Sequence, residues 1–240
     1  MDNSLLIVPT YNERENVPVL VKAIRKVCPE IHLLFVDDSS PDGTAEVIKN
    51  LQKEDAHSLF LEVRPQKDGL GNAYKHGFSW ALARDYQYIF EMDADLSHPP
   101  SAIPKMLERL KKECDVVIGS RYLQGVQVVN WPLSRIVLSI GASYYVRLLT
   151  GLPVNDPTAG FVGYTRKALA SLDLSHLHFV GYAFQIEMKF KLWKKGFRLI
   201  EIPIIFTNRE KGTSKMNGSI IWEAIYGVIY LKFKSIFNNL

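Results

Sequence analysis

Asp93 and Asp95, one residue apart behind the apolar run Tyr88 to Met92, are the residues in this chain best suited to hold a hard cation. Carboxylate oxygens are the ligands such ions take, and residues two apart on an extended strand share a face. The pair can therefore converge on one metal, with the small Ala94 between them. Taken alone, an Asp-x-Asp is more often a solvated turn, because aspartate is a common turn residue. Its meaning rests on what the chain places beside it. Arg121 and, much later, Arg209, Lys211 and Lys215 supply charge of the opposite sign, of the kind that suits phosphate oxygens, although each could serve as a surface ion-pair partner.

The elements that must carry these residues follow a regular order. Leu5 to Val8, Leu33 to Val36, Leu59 to Val63, Tyr88 to Met92 and Asp115 to Gly119 read as five strands, each a short apolar run suited to burial on both faces. Helical spacing separates them, as in Val17, Leu20, Val21, Ile24 and Val27, and again around Val47 to Leu51, from Gly69 to about Asp85 and over 101–112. The alternation predicts an α/β protein with an open, mostly parallel sheet flanked by helices and joined by right-handed crossovers. Ligands bind such sheets outside the carboxyl ends of the strands. Tyr11, Asn12 and Glu13 gather there, with Asp37 and Asp38, Asp93 and Asp95, and Ser120 and Arg121. Acids around one crevice repel one another unless a cation or hydrogen bonds compensate, which makes the Asp-x-Asp a candidate metal and diphosphate platform. Gly69-Leu70-Gly71 does not make a dinucleotide fingerprint: the third glycine is absent at Tyr74, and the first strand ends in Pro-Thr-Tyr-Asn-Glu.

Composition sets wide bounds. With 240 residues and 47% of them apolar, the chain can bury a sizeable core, and its net charge of +4 suits an acidic ligand or an anionic membrane without selecting either. Cys28 and Cys114 lack metal-ligand spacing and read as reduced core thiols, which favours a cytosolic setting, and no secretory signal is expected. Beyond Arg121 the pattern changes. A helix over 136–149 carries Arg135 near its start and Arg147 near its end, the latter read as a snorkelling core-helix arginine. A polar turn at Asn155 to Gly160, where Asp156 could simply cap the turn, enters a short strand at Phe161 to Tyr164. Another helix starts near Gly181, a last strand spans Arg198 to Phe206, and a mobile basic loop covers 207–217. Ser219 to Phe237 is apolar but is interrupted by Glu223, Lys232 and Lys234, which makes spanning a membrane unlikely as its role. Trp222, Tyr226 and Tyr230 recur along one side, so this amphipathic helix either lies in a membrane interface or packs on the domain or a partner subunit.

Pro9-Thr-Tyr-Asn-Glu13, Val36-Asp-Asp-Ser-Ser-Pro-Asp-Gly-Thr44, Asp93-Ala-Asp-Leu-Ser-His98, Gly119-Ser-Arg-Tyr122, Asp156-Pro-Thr-Ala-Gly-Phe161 and Arg209-Glu-Lys-Gly-Thr-Ser-Lys215 occur in that order along most of the chain. In this the sequence resembles the family-2 inverting glycosyltransferases of the glycosyltransferase-A (Rossmann-like) fold, and most closely the dolichol-phosphate (polyprenol-phosphate) mannosyltransferases. The resemblance implies a glycosyltransferase-A catalytic domain over 1–218, followed by the amphipathic helix over 219–240. It implies that Pro9, Tyr11, Glu13, Val36 and Asp38 hold the nucleoside of a nucleotide-sugar donor. Asp93, Ala94 and Asp95 would meet the donor diphosphate, with Mg²⁺ or Mn²⁺ on the two aspartates. Arg121, Arg209 and Lys215 would contact the diphosphate or the acceptor phosphate, and Arg135 and Ser139 the lipid phosphate. Asp95, Arg121 and Arg209 are the implied catalytic residues. Ser97 stands where some relatives carry a glutamine metal ligand, which leaves the third protein ligand open.

The implied reaction moves mannose from GDP-mannose to dolichyl or polyprenyl phosphate with inversion. A lipid monophosphate is already an anion near neutral pH, so no dedicated base is expected, and His98 reads as structural. A donor such as UDP-glucose, or a non-catalytic nucleotide-sugar-binding subunit, are the alternatives. The expected setting is peripheral, on the cytoplasmic side of a membrane: the endoplasmic reticulum in a eukaryote, the cell membrane in a prokaryote. The expected partners are the membrane surface and a small transmembrane subunit, with no nucleic acid.

Overall fold

The computed structural model describes residues 3–208 and 218–236. Its strands are β1 (Ser4–Thr10), β2 (His32–Asp37), β3 (Leu59–Val63), β4 (Tyr88–Glu91), β5 (Val116–Ser120), β6 (Val128–Val129), β7 (Val162–Thr165), β8 (Leu199–Pro203) and β9 (Phe206–Thr207). The helices are α1 (Asn16–Val27), α2 (Thr44–Glu54), α3 (Leu70–Leu82), α4 (Ile103–Lys112), α5 (Leu133–Thr150), α6 (Arg166–Ala170), α7 (Tyr182–Lys194) and α8 (Gly218–Ile236). Seven strands form one sheet in the order β3-β2-β1-β4-β7-β5-β8, and β6 pairs with β9 in a second, two-stranded sheet.

The central strands are apolar on both sides because both faces are covered. Leu5 and Ile7 of β1 point into one core, with Tyr74 and Phe78 of α3 and Phe184 and Phe190 of α7. Leu6 and Val8 alternate into the other, with Leu20 and Ile24 of α1, Ile48 of α2 and Met106 and Leu110 of α4. The period-two alternation of a strand thus assigns each residue to a helical layer.

The sheet is mostly parallel, as the strand–helix alternation predicts, with one exception that local pattern does not reveal. β7 inserts between β4 and β5 and runs antiparallel to both. Gly163 of β7 lies opposite Phe90 of β4, and a Cβ there would come within 2.6 Å of the Phe90 ring. The missing side chain makes room for that ring in the closely packed core. Gly163→Ala is expected to destabilise the fold by about 1–3 kcal/mol through overpacking, measurable by urea denaturation.

Expected boundaries move in two places next to the site. The strand read over Arg198 to Phe206 is two strands, β8 on β5 and β9 on β6, so Phe206 leaves the main sheet and Thr207, read as the start of a loop, lies in β9. β4 ends at Glu91, one residue before Met92. The acid that interrupts the C-terminal apolar run also finds a use, because Glu223 accepts hydrogen bonds from the backbone N–H groups of Val180 and Gly181, at 3.0 and 3.1 Å. That contact ties α8 to the start of α7, while Val228 and Leu231 enter the core. Tyr226, Ile229 and Phe233 of the same helix remain exposed. No helix among the described residues is long and apolar enough to cross a membrane.

Candidate active site

The loops that follow β1 and β2 brace each other. Pro9 and Val36 are register partners, and buried Asp37 accepts hydrogen bonds from Thr10 Oγ1 (2.8 Å), Ser40 N (2.9 Å) and Ser40 Oγ (2.6 Å). Asp37 is therefore committed to the scaffold. Glu13 is held by Thr44 Oγ1, which accepts from its backbone N–H, and by Asn16 Nδ2, which donates to its carboxylate at 2.7 Å. Lys67 lies 4.2 Å from the centroid of the Tyr11 ring. Asp38 faces Arg64 at 3.3 Å with both side chains buried, yet the two atoms meet without hydrogen-bond geometry. Burial pushes the Asp38 carboxyl above its ordinary value despite the guanidinium. Arg64 is anchored in turn on Asp68.

Asp93 and Asp95 lie past the end of β4, in a bend, so the pleat of an extended strand is not what relates them. Leu96 has a φ of +63°, a left-handed conformation unusual for a branched residue, and the chain turns there. Ser97 N donates to Asp95 Oδ1 at 3.1 Å, which fixes a buried residue, whereas Asp93 is half-buried, its side chain 37% exposed. A Cβ on Gly160 would lie 3.8 Å from Asp93 Oδ2, so the glycine keeps the space over that carboxylate open. Two hard oxygen donors beside such a space fit a divalent cation that takes its remaining ligands from a diphosphate and water. No group of three or more acidic, histidine or cysteine side chains able to hold a metal occurs among the described residues. His98 is packed between Phe161 and Phe206, and burial pulls it down to about 4, so it is neutral near pH 7. It is a core residue, as expected.

Arg121, at the end of β5, is gripped by Asp156. The guanidinium donates from Nε to Asp156 Oδ2 at 2.7 Å and from Nη2 to Oδ1 at 2.6 Å, and the Arg121 backbone N–H donates to Oδ2 at 3.0 Å. Thr158 Oγ1 accepts a further bond at 2.9 Å. Burial alone would push the fully buried Asp156 upward, but the guanidinium and its hydrogen bonds outweigh it and hold the carboxyl below its ordinary value. Asp156 is thus the ion-pair partner of Arg121 and also accepts from Thr158 Oγ1 within its own turn, at 3.3 Å. Glu201 of β8 holds the head of the same turn, accepting from Asn155 N, Asn155 Nδ2 and Asp156 N at 2.8–2.9 Å.

Arg121 and Arg135 meet at Trp131, whose ring centroid lies 5.5 Å from one guanidinium carbon and 3.8 Å from the other. Arg135 also donates to Asn208 Oδ1 at 3.1 Å, and Ser139 accepts from Tyr122 OH at 2.7 Å. Phe206 of β9 packs its edge on Trp131, and Thr207 N donates to Ser97 O, so β9 joins the arginine cluster to the Asp-x-Asp bend. The structure therefore brings together Arg121, Arg135 and Ser139. Arg209, Lys211 and Lys215 lie outside the described residues. The sequence alone assigns no role to Tyr122, Trp131, Thr158 or Glu201; the aromatic residues stand beside the two arginines in the chain, but the contacts that matter span long sequence separations.

An open sheet with acidic loops at the carboxyl ends of its strands, and an antiparallel strand behind an Asp-x-Asp bend, is the layout of the glycosyltransferase-A fold. Two solved structures share it: glucosyl-3-phosphoglycerate synthase from Mycobacterium tuberculosis, in complex with Mn²⁺, UDP and glucosyl-3-phosphoglycerate, and a mannosyltransferase from Pyrobaculum calidifontis in complex with GDP-mannose and Mn²⁺. The TM-scores are 0.66 and 0.63, each at 16% identity, covering 97% and 98% of this chain and 79% and 64% of the respective structures. At that identity the likeness is one of fold.

The chain belongs to glycosyl transferase family 2, whose sequence pattern matches residues 5–173. It is 45% identical over 225 residues to polyprenol monophosphomannose synthase of Mycolicibacterium smegmatis, covering 94% of this chain and 85% of that protein. It is 44% identical over 224 residues to undecaprenyl-phosphate mannosyltransferase of Micrococcus luteus, covering 93% and 91%.

Proposed function

We propose that this protein transfers mannose from GDP-mannose to the phosphate of a polyprenyl or dolichyl phosphate, with inversion at the anomeric carbon. The observation that carries the reading is the pair of guanidinium groups, Arg121 and Arg135, gathered on Trp131 beside the Asp-x-Asp bend. Identity of 44–45% to two polyprenyl-phosphate mannosyl transfer proteins over most of the chain supports the choice of substrates.

In this reading the nucleoside lies across the ends of β1 and β2, between Pro9, Tyr11, Glu13, Val36 and Asp38. Asp38 and Arg64 meet there without satisfying each other's hydrogen bonds, which favours polar groups of a bound ligand. Asp93 and Asp95 would hold Mg²⁺ or Mn²⁺, which when bound offsets charge developing on the departing diphosphate. Ala94 is buried between them and keeps the bend compact. Arg121 faces the phosphates with its orientation set by Asp156, and Arg209 and Lys215 are assigned to the same charge.

An oxygen of the lipid phosphate attacks the anomeric carbon while the bond to the GDP β-phosphate oxygen breaks, and the electron pair leaves with GDP. The nucleophile is an anion already, so the residues act by neutralising and aligning two phosphate groups, and no side chain need take a proton. Arg135 and Ser139 position the acceptor phosphate. Next to them, Tyr122, Val126, Ile140, Tyr144 and Arg147 line a cavity of about 180 Å³ that suits the first part of an isoprenoid chain. α5 exposes Leu133, Val137, Leu138 and Leu148, and α8 exposes Tyr226 and Phe233, apolar surface fit for peripheral contact with the cytoplasmic leaflet or with a small membrane-spanning partner.

The test is a matrix of GDP-mannose, UDP-glucose and other nucleotide-sugars against short- and long-chain polyprenyl phosphates, with Mg²⁺ or Mn²⁺. GDP-mannose should give a lipid-linked mannosyl phosphate whose formation stops on adding EDTA. Preference for another donor would replace the assigned sugar, and donor binding without turnover would favour a non-catalytic subunit.

A further inference from the structure

Lys189 of α7 is fully buried, and its ammonium is spent inside the protein. Nζ donates to Ala159 O at 2.7 Å, to Gln185 O at 3.2 Å and to Gln185 Oε1 at 3.1 Å. A cation in such a place is costly unless it is paired and hydrogen-bonded. Burial brings it down to about 8, against the favourable charge of Glu91 of β4, itself raised by burial to about 7, of Asp156 of the turn and of Glu201 of β8, while Arg121 adds to the lowering; it remains mostly protonated at neutral pH.

The carbonyl it holds belongs to a particular turn. Asp156, three residues before Ala159, grips Arg121; Gly160, one residue after, borders Asp93. Glu201 fastens the head of this turn through the N–H groups of Asn155 and Asp156, and Lys189 fastens its tail. Between the two anchors the turn has little freedom to swing, and neither does the carboxylate that orients the Arg121 fork.

We propose that Lys189 is a positioning residue for sugar transfer: its ammonium pins the 156–160 turn from within the core and, through Asp156, sets the direction of the Arg121 guanidinium. The inference rests on the reading above in which Arg121 meets the diphosphate or acceptor phosphate. A lysine that merely filled the core would affect folding without a selective effect on turnover.

A double-mutant cycle separates these roles. Lys189→Met keeps an unbranched apolar stem and removes the ammonium. In the otherwise unchanged protein it is expected to lower kcat by about 30-fold, in line with the cost of small misplacements, with the KM for GDP-mannose within about threefold. Arg121→Lys removes the planar fork, so nothing remains for the turn to aim. In that background Lys189→Met should change kcat by no more than about threefold. Glu201→Gln, isosteric and only partly buried, repeats the test from the other anchor and decides it if Lys189→Met does not fold. Equal fold-losses in both backgrounds, or a kcat loss that merely follows the folded fraction measured by thermal unfolding, would overturn the inference alone. Absence of transfer by the unmodified protein with every donor and acceptor would instead remove the functional reading, and this inference with it.

Discussion

Asp95→Ala is expected to lower kcat by about 10³-fold, the scale reached when one electrostatic contact to a developing anion is lost at an active site. The effect should fall on chemistry and metal binding rather than on folding. Asp95 lies outside any strand, in the bend after β4, where its carboxylate accepts a hydrogen bond from Ser97 N. Losing that acceptor costs about 1 kcal/mol, too little to unfold a domain with two cores. Asp95→Asn should keep the bond to Ser97 N while weakening the cation, so it should resemble the alanine variant in kcat and the parent in thermal stability. Manganese titration followed by paramagnetic resonance, in the presence of GDP, measures the metal independently of turnover. Full activity in Asp95→Ala would falsify the metal assignment.

The frame of this site was legible because parallel strands buried on both faces must be apolar runs, and because each ends where polar residues begin. That is enough to expect Glu13, Asp38, Asp93 and Arg121 around one crevice. Pairing is a different matter. Nothing local in Val162 to Thr165 says that it enters the sheet antiparallel between β4 and β5, where Gly163 leaves room for the Phe90 ring. Strand pleat, the ground on which Asp93 and Asp95 were expected to share a face, does not relate them, since they lie past β4 in a bend marked by a positive φ at Leu96 and the bond from Ser97.

Long-range side-chain contacts were the least visible part. Asp156 and Arg121 are 35 residues apart, and a polar turn rich in Asp, Asn and Pro looks the same whether its aspartate caps the turn or clamps an arginine. Adjacent acids divide their work in the same hidden way: Asp37 closes the loop onto Thr10 and Ser40, while Asp38 faces Arg64 at the crevice. The C-terminal helix shows how one residue can mislead. Glu223 looked like a break in an apolar segment, and it is the contact by which α8 docks on the start of α7.

Asp156→Asn is expected to be costly in both stability and turnover, because it neutralises one half of an ion pair whose carboxylate is 0% and guanidinium 11% exposed. Removing one partner leaves the other charge buried without compensation, a loss of about 3–5 kcal/mol. The amide can still accept one bond, but its NH₂ group must then face a donor of Arg121, which places donor against donor. The freed guanidinium should also lose its aim, giving a further fall of about 10²-fold in kcat on the folded protein. Acid sensitivity provides a second readout. The Asp156 carboxyl lies below its ordinary value in the fold, so its stabilising effect is complete above the unfolded value of about 3.9 and drains away as pH falls through the lower folded value. The parent should therefore lose stability on acidification below about pH 4 by an amount that Asp156→Asn no longer shows. Urea titrations of both proteins between pH 3 and pH 7 measure the difference directly. Parallel stability curves, with the variant as active as the parent, would show that the Asp156–Arg121 pair neither holds the turn nor orients the arginine.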